Sequence, residues 1–184
     1  YGRTVINSDY RFAYEEVQHV IENQTKQVDA EVSLTGETYS ISNPVFEAIN
    51  ILDYQAKTLR NKRMKNGAIS FDRVEVNFHL DEENNPDSVY FKTSKDAHKL
   101  IEEFMLLANK KVAAFINTLQ PIPPFVYRIH DDPDEQKLFN LKQTISPFGY
   151  SFNPNKKNVS SEINGLLLAC NGKREQNLID TLTL

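Results

Sequence analysis

Asp131-Asp132-Pro133-Asp134-Glu135 is the densest acidic run in the chain. Carboxylate oxygens at that density suit Mg²⁺, which takes one or two of them together with substrate phosphates. The same residues also describe a helix start, because acidic side chains favour the first turn and proline fits the first helical position. Helix capping is the preferred reading. The alternative is a small α+β enzyme whose site uses Asp131, Asp134 and a histidine. The four histidines, His19, His79, His98 and His130, show no metal-ligand spacing among themselves or with Cys170. No serine or cysteine stands in a nucleophile context, and no glycine-rich phosphate loop is present. Motifs alone define no active site.

Lys57, Arg60, Lys62, Arg63 and Lys65 cluster at the end of one helical pattern. Cations there complement the terminal carbonyls, so a solvated helix end is the default and a phosphate-contacting patch the rival. Glu102 and Glu103 sit within a second, longer pattern. A glutamate on a helix surface is ordinarily solvated, and Glu103 is read that way. Asn109, seven residues after Glu102, shares its helical face two turns on.

The elements that must position these groups follow from periodicity. Val17, Val20 and Ile21 predict a helix over 14–23, and the polar run 24–42 predicts a loop. Asn43-Pro44 opens a helix with Phe46, Ile49, Leu52, Ala56 and Leu59 on its buried stripe, closed by Gly67. Val74, Val76, Phe78 and Leu80 then alternate with polar residues, predicting a half-buried strand whose partner runs through 88–92. A long helix is expected over about 95–119, ended by Pro121, Pro123 and Pro124, with a short strand at about 125–129. Three further helices follow, from Asp132-Pro133, from Ser160 or Ser161, and from Lys173 onward. The fold class is therefore α+β: helix-rich, with a small sheet (a hairpin over about 68–92 and the strand at 125–129) packed against the long helix.

Charge bounds the partners. The net charge is −4 over 184 residues and the pI about 5.6, whereas dedicated nucleic-acid modules are usually basic. Any RNA contact should thus rest on stacking and local geometry. A single cysteine excludes an internal disulfide framework and suits a reducing, cytoplasmic setting. No apolar run is long enough to span a bilayer.

The order and spacing of several short segments carry a family resemblance. They are Ser8 to Gln18, Leu59-Arg60 with Arg63, Gly67-Ala68-Ile69-Ser70-Phe71, Asp96 to Glu103, Tyr127 to Asp131, and Phe148-Gly149-Tyr150. Together they resemble the catalytic (RNB) domain of the ribonuclease II and ribonuclease R family, with the ribonuclease R branch closer. The resemblance implies a processive 3′-to-5′ exoribonuclease that degrades single-stranded RNA to nucleoside monophosphates with Mg²⁺. It assigns RNA contacts to three positions. Phe71 matches a phenylalanine that packs on bases near the 3′ end, Tyr14 a tyrosine that helps set the final product length, and Glu102 an acidic residue at the terminal nucleotides. It also implies that residues 1–184 are a partial RNB domain, truncated at both ends and without the flanking RNA-binding barrels. The family's four-aspartate signature and its downstream threonine-serine-proline-isoleucine stretch with paired arginines are absent from this sequence. The chain alone is accordingly expected to bind no metal and to be inactive, with self-association through exposed patches as one expected behaviour. A non-catalytic interaction scaffold derived from the same fold is the alternative.

Overall fold

Backbone conformation set by local sequence accounts for most of the elements. The computed structural model describes residues 2–69, 74–129, 131–156 and 158–183, without the side chains of 74 and 75. Helix α1 (Tyr14–Asn23) starts where the Ala13 N–H donates to Glu16 Oε2 at 2.6 Å and ends with Gln24 in the left-handed region. The 24–42 stretch, expected to be a loop, contains a two-residue antiparallel pairing of β1 (Gln27–Val28) with β2 (Tyr39–Ser40). Its Val28 and the following Ile41 are buried, which is what orders an otherwise polar excursion.

Helix α2 (Asn43–Lys65) closes on Gly67, whose φ is +94°. The Gly67 N–H donates to Met64 O and the Ala68 N–H to Arg63 O, a Schellman closure that needs a residue tolerant of positive φ. Strands β3 (Val74–Leu80) and β4 (Pro86–Thr93) pair antiparallel, with Val76 opposite Phe91 and Phe78 opposite Val89. Asp81 organises the turn between them by accepting from the Glu83 and Asn85 N–H groups. The Asn85 bond is the main reason its carboxyl is held below the usual range.

The hairpin departs from the expected half-burial. Val76, Phe78, Leu80, Val89 and Phe91 share one face by register, and each is more than half exposed. Alternation shows which face can be buried, not that another element covers it. Helix α3 (Asp96–Ile116) stops before the expected 119, its end tightened by Thr118 and Leu119 N–H bonds to Phe115 O and Ile116 O. Phe125 to Ile129 is not a strand; Val126 and Ile129 are almost fully exposed, and no strand among the described residues pairs with this segment. β-propensity without a partner leaves an extended chain. Helix α4 (Glu135–Ile145) begins two residues later than Pro133 suggests, because Asp134 is the cap and accepts from the Lys137 N–H at 2.9 Å. A 3₁₀ turn (Ser146–Phe148), α5 (Val159–Cys170) and α6 (Gln176–Leu182) complete the chain.

The chain divides into two compact units: Tyr1–Arg60 with Arg73–Lys111, and Asn61–Asp72 with Val112–Leu184. The first has a core of Val20, Ile21, Val28, Ile41, Ile49, Ala56 and Leu100. The second is built on Leu141, Ile145, Phe152, Ile163, Leu166, Cys170 and Ile179. In it, Asn164 Nδ2 donates to Ala68 O at 2.9 Å, and the Tyr150 hydroxyl donates to Glu175 Oε1 at 2.6 Å. No helix among the described residues is long and apolar enough to cross a membrane.

Candidate functional site

In the first unit, α1 and α3 meet through two side chains four residues apart on α1. Tyr14, in the first turn, stacks on His98 of α3 with ring centroids 4.2 Å apart and planes 13° from parallel. Gln18, one turn on and buried, accepts the Ala97 N–H at 2.8 Å and donates to Glu22 Oε1 at 2.9 Å. It thereby satisfies an orphan donor at the start of α3 from a neighbouring helix. Tyr14 keeps 42% of its surface exposed and borders two clefts. One, about 310 Å³, includes His98, Phe91, Lys92 and Lys95. The other, about 530 Å³ and apolar, is lined by Phe12, Leu52, Leu100 and Ile101 among others.

Helix α1 is itself fixed by Glu16, which is buried. Besides the Ala13 N–H, its carboxylate accepts from the Leu34 N–H and the Tyr39 hydroxyl, both at 3.1 Å. Burial, then the hydrogen bond to Glu16, pushes the Tyr39 phenol up to about 12.

Helices α2 and α3 are tied by ion pairs. Lys57 Nζ lies 2.7 Å from Asp53 and 3.0 Å from Asp96, and Arg60 lies 3.8 Å from Glu103. The hydrogen bond that Lys57 donates to Asp53 is the main cause of its raised pKa. Two of the five residues that the sequence presents as a basic helix end, Lys57 and Arg60, are therefore engaged by carboxylates within this unit. Glu103, read as solvated, is in fact buried at 3% exposure. Its position three residues after Leu100, on the apolar stripe, is the signal that marks it.

Glu102 is half-buried on α3, four residues after His98 and so on the same face of that helix. Tyr14 thus packs against the face of α3 that carries Glu102. Phe71, the third expected contact, lies outside the described residues, as does His130. Sequence reasoning missed Gln18 and the pairing of Tyr14 with His98, since neither side chain belongs to a motif. It could have found Glu16, a glutamate three residues after the helix cap.

Among the described residues no group of three or more His, Cys, Asp or Glu side chains stands together as metal ligands. Asp134, the strongest candidate on spacing, is committed to capping α4.

The RNB domain family model matches residues 1–184. Ribonuclease R of Vibrio parahaemolyticus is 30% identical over 180 residues, covering 98% of this chain and 20% of that protein. DIS3-like exonuclease 2 of Caenorhabditis elegans is 33% identical over 150 residues, covering 82% of this chain and 18% of its own length. The chain therefore spans about a fifth of the curated relatives it matches. Among solved structures, Mycoplasma genitalium RNase R in complex with ribose methylated single-stranded RNA overlays 95% of this chain and 25% of its own, with a TM-score of 0.75. At 21% identity, that likeness is one of fold. With the family match running from the first residue to the last, and relatives of like sequence aligned over nearly as much, the chain belongs to the RNB domain family.

Proposed function

We propose that the chain is a segment of a processive 3′-to-5′ exoribonuclease acting on single-stranded RNA, and that it supplies contacts to the RNA 3′ end without performing hydrolysis itself. The family match over residues 1–184 is the observation that carries this reading. The site geometry supports it. A half-exposed tyrosine on a packed aromatic support can take a base on its open face, and such stacking contributes about 1–3 kcal/mol per base whatever the sequence. A carboxylate at Glu102 can accept from a ribose hydroxyl, which DNA lacks. The family resemblance assigns a base contact to Phe71 as well.

Stacking also suits the charge. A chain of net charge −4 cannot rely on phosphate neutralisation, so its RNA affinity should change little with salt. Mg²⁺, a cytoplasmic location and release of nucleoside monophosphates belong to the whole enzyme in this reading. For the chain by itself, the reading includes self-association through the exposed face of the β3–β4 hairpin, since patches of that kind seek cover. Sedimentation velocity at rising concentration tests that point, and a strictly monomeric chain would remove it.

The test of function has two arms, run on the purified chain with Mg²⁺. Anisotropy titration with labelled oligo(A) should show saturable binding to the single strand and weaker binding to a DNA strand of equal length, which keeps the stack and lacks the ribose hydroxyl. No mononucleotide should be released. Equal affinity for DNA would remove the ribose contact, and steady nucleotide release would overturn the proposed inactivity.

A further inference from the structure

We infer that His98 is a positioning residue for Tyr14: it covers one face of the phenol ring and holds it in the rotamer that offers the other face to a nucleobase. The inference deepens the proposed RNA contact and rests on it. Its geometric basis is independent of any ligand. A centroid separation of 4.2 Å with planes 13° apart is close stacking of two flat rings. One face of Tyr14 is therefore occupied by protein, and 42% of the residue remains open. The apolar cleft beside it, to which Phe12, Leu52 and Ile101 contribute and His98 does not, has room for a base.

His98 can serve as a support because its own place is fixed. The residue before it, Ala97, is almost fully buried, and its N–H is held by Gln18 of α1. Gln18 is in turn braced by Glu22. Tyr14 and Gln18 lie one helical turn apart, so the same face of α1 that carries the ring also grips the start of the helix that supports it. Ring and support cannot drift separately. An exposed aromatic without such backing samples three staggered wells about its first side-chain torsion.

That sets the expected magnitudes. Losing the support cuts the binding-competent fraction of Tyr14 to about a third, so His98→Ala should weaken oligo(A) binding about threefold. Losing the ring itself removes the stack, so Tyr14→Ala should cost about fivefold or more. His98→Phe, which keeps a flat ring, should bind within about twofold of wild type, and the double variant Tyr14→Ala/His98→Ala should match Tyr14→Ala alone.

The measurement is fluorescence anisotropy of 5′-labelled single-stranded oligo(A) with the whole chain, at one salt concentration, with circular dichroism as a folding control. Should His98→Ala fail to fold, His98→Leu keeps bulk without a stacking face and takes its place. Rescue by phenylalanine together with the non-additive double variant supports the inference. Normal binding by His98→Ala alongside weak binding by Tyr14→Ala overturns the positioning role and leaves the RNA contact standing. So does a double variant weaker than Tyr14→Ala, which would mean that His98 acts apart from Tyr14. Unchanged binding by Tyr14→Ala overturns the contact and the positioning role together.

Discussion

Glu16 is the side chain on which the entrance to α1 depends. It is buried yet satisfied by three donors from three places: the Ala13 N–H, the Leu34 N–H and the Tyr39 hydroxyl. A carboxylate accepts from all of them, whereas an amide must present its NH₂ to one. Glu16→Gln should therefore destabilise the chain by about 1–3 kcal/mol, read as a lower urea midpoint at unchanged slope. The same contact makes a prediction about pH. Tyr39 ionises near 12 in the folded chain against 10.0 ordinarily, so the unfolded state releases that proton first. Its contribution is fully present below pH 10 and is lost as pH rises towards 12. Tyr39→Phe should flatten that part of the alkaline stability profile; an unchanged profile would show that Tyr39 does not set it.

At the scale of elements, closures decide where helices stop. Gly67 holds a φ of +94°, and a Cβ there would meet Asn158 only at an ordinary 3.6 Å. The cost of Gly67→Ala is thus conformational, about 1 kcal/mol, with no steric clash to add to it. Asp134→Ala should cost a similar amount, about 0.5–2 kcal/mol, by leaving the Lys137 N–H without its acceptor. Thermal denaturation of each variant checks both. The start of α2 near Asn43-Pro44, its closure at Gly67 and the stripe through Leu100 were legible in the sequence for this reason: each acts locally, although Asn43 lies within the helix and its side chain accepts from Lys26 rather than capping. Phe125 to Ile129 and the β3–β4 hairpin were not legible in the same way. Their residues favour extended backbone, but a strand also needs a ladder partner, and burial of a face needs a covering element. Both are set by distant parts of a chain.

At the scale of the whole molecule, two separate cores carry a surface that is acidic in sum and locally aromatic. The elements that carry the candidate site were legible: periodicity placed Tyr14 on α1 and Glu102 on α3. The contacts between them were not, because Gln18 acts on a helix 79 positions away and the Tyr14–His98 stack follows from no spacing. Lys57 and Arg60 differ from their sequence reading too. Their spacing suggests a solvated helix end, with a phosphate patch as the rival, while the fold engages them with Asp53, Asp96 and Glu103. The central claim is that this segment holds the end of an RNA strand by stacking. Photocrosslinking tests it most directly, using oligo(A) with a single 4-thiouridine at its 3′ terminus and peptide mapping by mass spectrometry. The account predicts adducts on the peptides bearing Tyr14 and Glu102, lost in Tyr14→Ala. Adducts confined to α4 through α6, or equal yields when the thiouridine is moved to the 5′ end, would contradict it.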